Sequence, residues 1–178
     1  VSAALGALTQ TVILADQDAF NEFRYWVAGS LEGRGVDIAM ATTPLIALGV
    51  VLGLVLSPSL NALALGEEAA KGLGVRVEAT RTLTALAVTL LAGAATAAAG
   101  PISFVGLAVP VAARAVLGPD QRWVALASLL LGPVWVLGAD VLARVIIATQ
   151  ELQVGVVAAL AGAPCFIAMV RTKKVAAL

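Results

Sequence analysis

Histidine is absent from the 178 residues, and cysteine occurs only once, as Cys165 within an apolar run. The absence of histidine excludes histidine-based proton relays and metal sites, and a single cysteine excludes a disulfide bond within the chain. Charged residues make up only 12% of the sequence, against about 25% in soluble domains. Because 11 basic residues balance 11 acidic ones, the charge gives no indication of a nucleic-acid partner.

Apolar residues dominate the rest of the composition. They make up 61% of the chain, and the mean hydropathy is +1.01, whereas soluble domains are about 45–50% apolar. Uncharged runs of about 20 residues predict membrane-spanning helices, because a helix satisfies its own backbone hydrogen bonds where lipid cannot. We therefore predict an all-α, polytopic membrane helical bundle surrounded by lipid.

The uncharged segments indicate about six spans or part-spans. Gly100-Pro101 divides one run that is too long for a single upright span. The expected segments are 1–15, 38–66, 82–99, 103–117, 123–148 and 152–170. The first of them starts within an apolar run and without an initiator methionine, so we expect the chain to be part of a longer protein. Between the first two segments, the aromatic residues from Phe20 to Trp26 fit either a short interfacial helix or a loop with packed rings.

The charged loop, defined as residues 65–81, interrupts the apolar second half with six charges between Glu67 and Arg81. Glu67 and Glu68 stand where the first turn of a helix favours anions, and Glu67 can pair with Lys71 one turn later. Gly72 and Gly74 can end that helix. The pattern predicts a short, water-facing helix followed by a bend. An ordinary polar connection between two spans is the alternative.

Asp140 and Arg144 interrupt another apolar run near its end. They are four residues apart and share a helix face, so they can pair; each alone at the bilayer centre would cost roughly 2.5–3.5 kcal/mol. Alternate crossings of the chain place eight basic residues in the cytoplasm and three outside, as the positive-inside tendency requires. The eight are Lys71, Arg76, Arg81, Arg114, Arg122, Arg171, Lys173 and Lys174, and the three are Arg24, Arg34 and Arg144. We expect the charged loop to be cytoplasmic and Arg144 to face outward.

Catalytic patterns are missing from the sequence. It contains no Gly-x-x-x-x-Gly-Lys-Ser/Thr stretch for binding phosphate, no nucleophile with a partner base, and no cluster of metal ligands. The chain is therefore not expected to be an enzyme or to hold a cofactor, and any energy for its function has to come from a partner.

Five motifs in order, covering nearly the whole chain, resemble the FecCD family of membrane permeases. These permeases serve ATP-binding-cassette importers of iron–siderophore complexes, haem and vitamin B12. The motifs are LALGEEAAKGLGV at 63–75, AGPISFVGLAVP at 99–110, GPDQR at 118–122, ADVLAR at 139–144 and ELQVGVVAALAGAP at 151–164.

The resemblance implies a ten-helix permease in the cytoplasmic (inner) membrane, of which this chain corresponds to the second half. Such a permease pairs with a second permease subunit, with cytoplasmic ATP-binding-cassette ATPases, and with an extracytoplasmic substrate-binding protein. The charged loop matches the family's coupling helix, which contacts the ATPase. The corresponding positions are Gly66, Glu67, Ala70, Leu73 and Gly74. Arg144 matches a family position that docks the binding protein.

Iron(III)–siderophore complexes are the expected cargo because they are the family's most abundant substrate class; vitamin B12 and haem are alternatives. The chain departs from the family pattern at Val111, where histidine is common, and at Gln153, where proline is common. Since the first half of the permease is absent from the sequence, a truncated membrane scaffold without transport is the competing interpretation. A channel is disfavoured because no filter sequence or run of pore charges is evident.

Overall fold

The computed structural model describes residues 2–31, 35–146 and 153–172. Within these ranges all regular secondary structure is helical. The helices are α1 (Ser2–Ala15), α2 (Gln17–Ala28), α3 (Val36–Ala64), α4 (Glu67–Gly72), α5 (Val77–Ala99), α6 (Val105–Leu117), α7 (Gln121–Ile146) and α8 (Val154–Thr172). The predicted all-α fold is confirmed.

Three of these helices, α3, α5 and α7, are long and apolar enough to cross a membrane. Even the 23-residue α5 extends about 35 Å at 1.5 Å per residue, which exceeds the ~30 Å hydrocarbon core of a bilayer. The helices α1, α6 and α8 contain shorter apolar segments. The described part of the chain therefore contains six spans or part-spans, as predicted.

The helices extend beyond the predicted spans at their polar ends. α5 begins at Val77 instead of 82, and α7 begins at Gln121 instead of 123. α3 begins at Val36 instead of 38 and continues through Pro58 to Ala64. A helix can continue beyond the lipid into its charged first turn. Membrane helices also tolerate proline where neighbouring groups hydrogen-bond the carbonyl that proline leaves without a partner. The predicted boundaries at 148 and 152 lie outside the described residues.

The helices α3 and α5 form the most extensive helix pair among the described residues. A Cβ atom at Gly49 would lie 2.6 Å from Leu91 Cγ, so this glycine lets α3 approach α5 closely. Ala87 and Ala94 are buried on α5. Because α4 is the connection between α3 and α5, it is attached to this pair at both of its ends.

A second group consists of α6, α7 and α8. Its buried core contains mostly small side chains, which membrane helices need for close packing. The core residues are Ala139, Ala143, Val154, Val157 and Ala158. Since α3 also contacts α7, the two groups form one bundle.

The aromatic stretch after α1 forms the helix α2, so the helix is the correct one of the two interpretations of that stretch. Asp16 caps its start by accepting a hydrogen bond from the Asp18 N–H at 2.9 Å. Near its other end, Trp26 Nε1 donates to the Thr96 carbonyl of α5 at 3.1 Å. The tryptophan therefore joins α2 to the C-terminal part of α5.

The glycine junction, formed by Gly29, Gly100 and Gly155, joins the end of α2 to α5 and α8. The Gly155 N–H donates to the Gly29 carbonyl at 2.9 Å. A Cβ atom at Gly100 would collide with the Trp26 carbonyl oxygen, and one at Gly155 would collide with the Ala28 carbonyl oxygen. All three glycines are buried. Three backbones meet here at distances that leave no room for a side chain.

Candidate functional site

Two glycines set the ends of α4. Gly66 leads into the helix with φ +107°, and Gly74 follows it with φ +81°. The Gly74 N–H donates to the Lys71 carbonyl, and the Val75 N–H donates to the Ala70 carbonyl, both at 3.0 Å. This is the Schellman motif, which gives hydrogen-bond donors to carbonyl groups that have no partner within the last turn of a helix. The chain therefore has the short helix and the bend that the sequence predicts.

Glu67 forms ion pairs with two cations, one on α4 itself and one on α5. Its Oε1 lies 3.0 Å from Lys71 Nζ, and its Oε2 lies 3.0 Å from Arg81 Nη2. The hydrogen bond and positive charge of Lys71, and then those of Arg81, hold the pKa of the Glu67 carboxyl below its usual range. The pair with Lys71 is the predicted one. The pair with Arg81 joins the first turn of α4 to the second turn of α5 across the bend.

Ala70, three residues after Glu67 on α4, has no exposed surface. Val77 and Thr80, on the first turns of α5, are exposed to only 4% and 5%. A buried alanine at this point lets the backbone of α4 rest directly on the bundle. The helix is therefore held both by the packing of Ala70 and by the ion pairs of Glu67.

The outer side of the charged loop carries exposed apolar side chains. Leu73, between the glycines of the bend, is 66% exposed, and Leu65 before α4 is 70% exposed. Glu68 is exposed on the first turn. An exposed leucine on this short charged helix gains free energy when a partner covers it.

The structure separates the five loop residues singled out by the sequence into two groups. Four of them are exposed, namely Gly66, Glu67, Leu73 and Gly74, whereas Ala70 is buried on the inner face of α4. A partner can reach the first four directly, while Ala70 sets the position of the helix. Sequence reasoning missed Arg81 as the second partner of Glu67, because no local spacing rule connects residues in different helices.

At the far end of α7, Arg144 pairs with Asp140 as predicted. Arg144 Nε donates to Asp140 Oδ2 at 2.9 Å, and Nη2 donates to Oδ1 at 3.4 Å. The arginine side chain is 67% exposed and the aspartate 18%. The start of α7 contacts α3 beside Asn61, one turn before the charged loop. The Asp140–Arg144 pair and the charged loop therefore lie at opposite ends of α7.

Comparison with known proteins gives consistent matches along the whole chain. The profile of the FecCD transport family matches residues 1–172. The ferric enterobactin transport system permease protein FepD of Escherichia coli is 41% identical over 97% of this chain and 52% of its own length. The cobalamin import system permease protein BtuC of Halobacterium salinarum is 36% identical over 100% of this chain and 48% of its own length.

A solved structure, described as an inward-facing conformation of an ABC transporter, superposes with a TM-score of 0.83 at 26% sequence identity. The match covers 97% of this chain and 56% of that protein. The chain thus spans about half the length of the relatives it matches.

Proposed function

This chain belongs to the FecCD transport family, and we propose that it forms the C-terminal half of the membrane permease of an ATP-binding-cassette importer. Relatives in the family are transport permeases, and ATP hydrolysis takes place in a separate subunit. The permease works in the cytoplasmic membrane as a dimer with a second permease subunit. A binding protein delivers the cargo from outside.

The charged loop is the contact with the ATPase in this proposal. The observation that supports it is the combination of an exposed Leu73 with a helix fastened to α5 by Glu67 and Arg81. Closure of the ATPase pair moves α4, and the contacts of Glu67 and Ala70 transmit this movement to α3 and α5. Tilting of these helices then switches the pathway between outward and inward access.

An iron(III)–siderophore complex is the proposed cargo. The support is the 41% identity with the ferric enterobactin permease, compared with 36% for the cobalamin permease. Vitamin B12 or haem is the alternative.

The first test is whether the charged loop retains the ATPase. In the full permease that contains this chain, residues 67–74 are replaced by a Gly/Ser linker of equal length. We expect the ATPase to co-purify with the native permease and to be lost with the linker, since the linker removes Leu73 and the fixed helix together. Size-exclusion profiles of both permeases control for folding. Equal retention of the ATPase by both would contradict the role of the loop.

A second test concerns Arg144, which we propose as a docking residue for a carboxylate of the binding protein. Arg144→Glu reverses the charge and also breaks the pair with Asp140, whereas Asp140→Asn removes the pair and leaves the arginine charged. We expect at least about tenfold weaker binding of the binding protein to the Arg144→Glu permease and little change with Asp140→Asn. Titration of the labelled binding protein against the permease measures both.

If Asp140→Asn weakens binding as much as Arg144→Glu does, then the internal ion pair, and not a contact with the binding protein, is the function of Arg144.

A further inference from the structure

The C-terminal end of α3 is hydrogen-bonded to the turn between α6 and α7. Asn61 Nδ2 donates to Asp120 Oδ1 at 2.6 Å. In the opposite direction, the Gln121 N–H donates to Asn61 Oδ1 at 2.8 Å. We refer to Asn61, Asp120 and Gln121 as the polar clasp. Because Asn61 both donates and accepts, it fixes the end of α3 against the turn in two directions.

Asp120 is itself held in place by α7. Its Oδ1 also accepts from the Arg122 N–H at 2.9 Å, and its carbonyl accepts from the Val124 N–H at 3.0 Å. It therefore occupies the capping position at the start of α7. The hydrogen bonds from Asn61 and from the Arg122 N–H lower the pKa of the Asp120 carboxyl, so it stays ionised at neutral pH. A displacement of Asn61 accordingly acts on the first turn of α7.

The polar clasp lies next to the charged loop. Asn61 is on the last turn of α3, and α4 begins only six residues later. Beside the clasp, a pocket of about 200 Å³ separates parts of α3, α5 and α7. Its lining includes Ser57, Gln121 and Thr84. The buried hydroxyl of Thr84 has no hydrogen-bond partner in the described part of the chain. Packing is therefore incomplete beside the clasp, where two hydrogen bonds join α3 to the start of α7.

From this geometry we infer that Asn61 is a positioning residue that makes α7 follow the movement of the charged loop. The inference rests on the proposed function, in which the ATPase moves α4. The pair α3–α5 carries α4, and the polar clasp is the hydrogen-bonded link from that pair to the start of α7. Since Arg144 lies at the other end of α7, the clasp also connects the ATPase side of the bundle with the side proposed for the binding protein.

The test measures the distance between the start of α5 and the start of α7 in the full permease bound to its ATPase. To keep the label away from the ATPase contact, spin labels are attached to Thr82→Cys, on the turn of α5 that Glu67 joins to α4, and to Arg122→Cys, both exposed positions, in a Cys165→Ala background. With the native clasp, we expect the intrasubunit distance to stay unchanged when a non-hydrolysable ATP analogue is added, because the pair α3–α5 and α7 move together. With Asn61→Ala, we expect the analogue to shift the distance by about 2 Å or more.

Asp120→Asn is the matched control. Its amide oxygen can still accept from Asn61 and from the Arg122 N–H, so we expect the native response. A nucleotide-dependent distance change in the native protein would overturn the inference, and so would an unchanged distance in the Asn61→Ala protein. If Asn61→Ala does not fold, Asn61→Asp takes its place, because a carboxylate cannot donate to Asp120 and repels it. Loss of the ATPase from the native complex would instead count against the proposed function, which separates the two failures.

Discussion

Gly100→Ala is expected to destabilise the bundle substantially more than Gly118→Ala, although the two glycines have nearly the same backbone conformation. Gly100 has φ 75° and ψ −176°, and Gly118 has φ 84° and ψ −170°. Only glycine adopts this region readily, and an alanine forced into it costs about 1–3 kcal/mol. This cost applies at both positions and therefore cancels in the comparison.

The neighbours of the two glycines differ. A Cβ atom at Gly100 would collide with the carbonyl oxygen of Trp26, whereas nothing lies within 4 Å of one at Gly118. Relieving the collision requires α2 to move away from α5, which adds about 1–3 kcal/mol by analogy with overpacked cores. Thermal unfolding of the purified variants in the same detergent measures the difference. Equal midpoints for the two variants would show that α2 is not held tightly against α5.

Ala70→Leu is expected to weaken retention of the ATPase, while Ala69→Leu is expected to preserve it. Ala70 has no exposed surface and Ala69, its neighbour, is exposed. Three additional carbon atoms at position 70 cannot be accommodated without lifting α4 from the bundle. Overpacking of this kind costs about 1–3 kcal/mol, which corresponds to at least about fivefold weaker retention if the ATPase requires the native position of α4.

Both substitutions add the same side chain to the same helix, so helix propensity and added apolar surface are matched. Co-purification of the ATPase with each full permease provides the comparison, and amide hydrogen exchange of 67–72 shows whether α4 has been displaced. Native retention by the Ala70→Leu protein, despite faster exchange in α4, would mean that the ATPase does not depend on the position of this helix.

The elements that local rules govern were predictable from the sequence. Lipid imposes long uncharged helices, which is why α3, α5 and α7 could be recognised without any knowledge of their packing. The pairs Glu67–Lys71 and Asp140–Arg144 follow from four-residue spacing on a helix. The bend at Gly74 follows from the preference of helix ends for glycine.

The contacts between distant residues could not be predicted. The pairing of Glu67 with Arg81, of Asn61 with Asp120 and of Trp26 with Thr96 depends on how helices lie against one another, which no spacing along the chain encodes. The burial of Ala70 could not be predicted either, because alanine fits both the buried and the exposed face of a short helix. The sequence therefore identified the charged loop but not the groups that fix its position.

The glycine junction also bears on the order in which the protein is assembled during synthesis. Its backbones come from three distant stretches of the chain, and the last of them, at Gly155, belongs to the final described helix. While the earlier helices are being inserted, the Gly29 carbonyl therefore lacks its native donor, the Gly155 N–H. Non-local contacts of this kind form late in folding. Closure of the junction therefore cannot precede the arrival of α8.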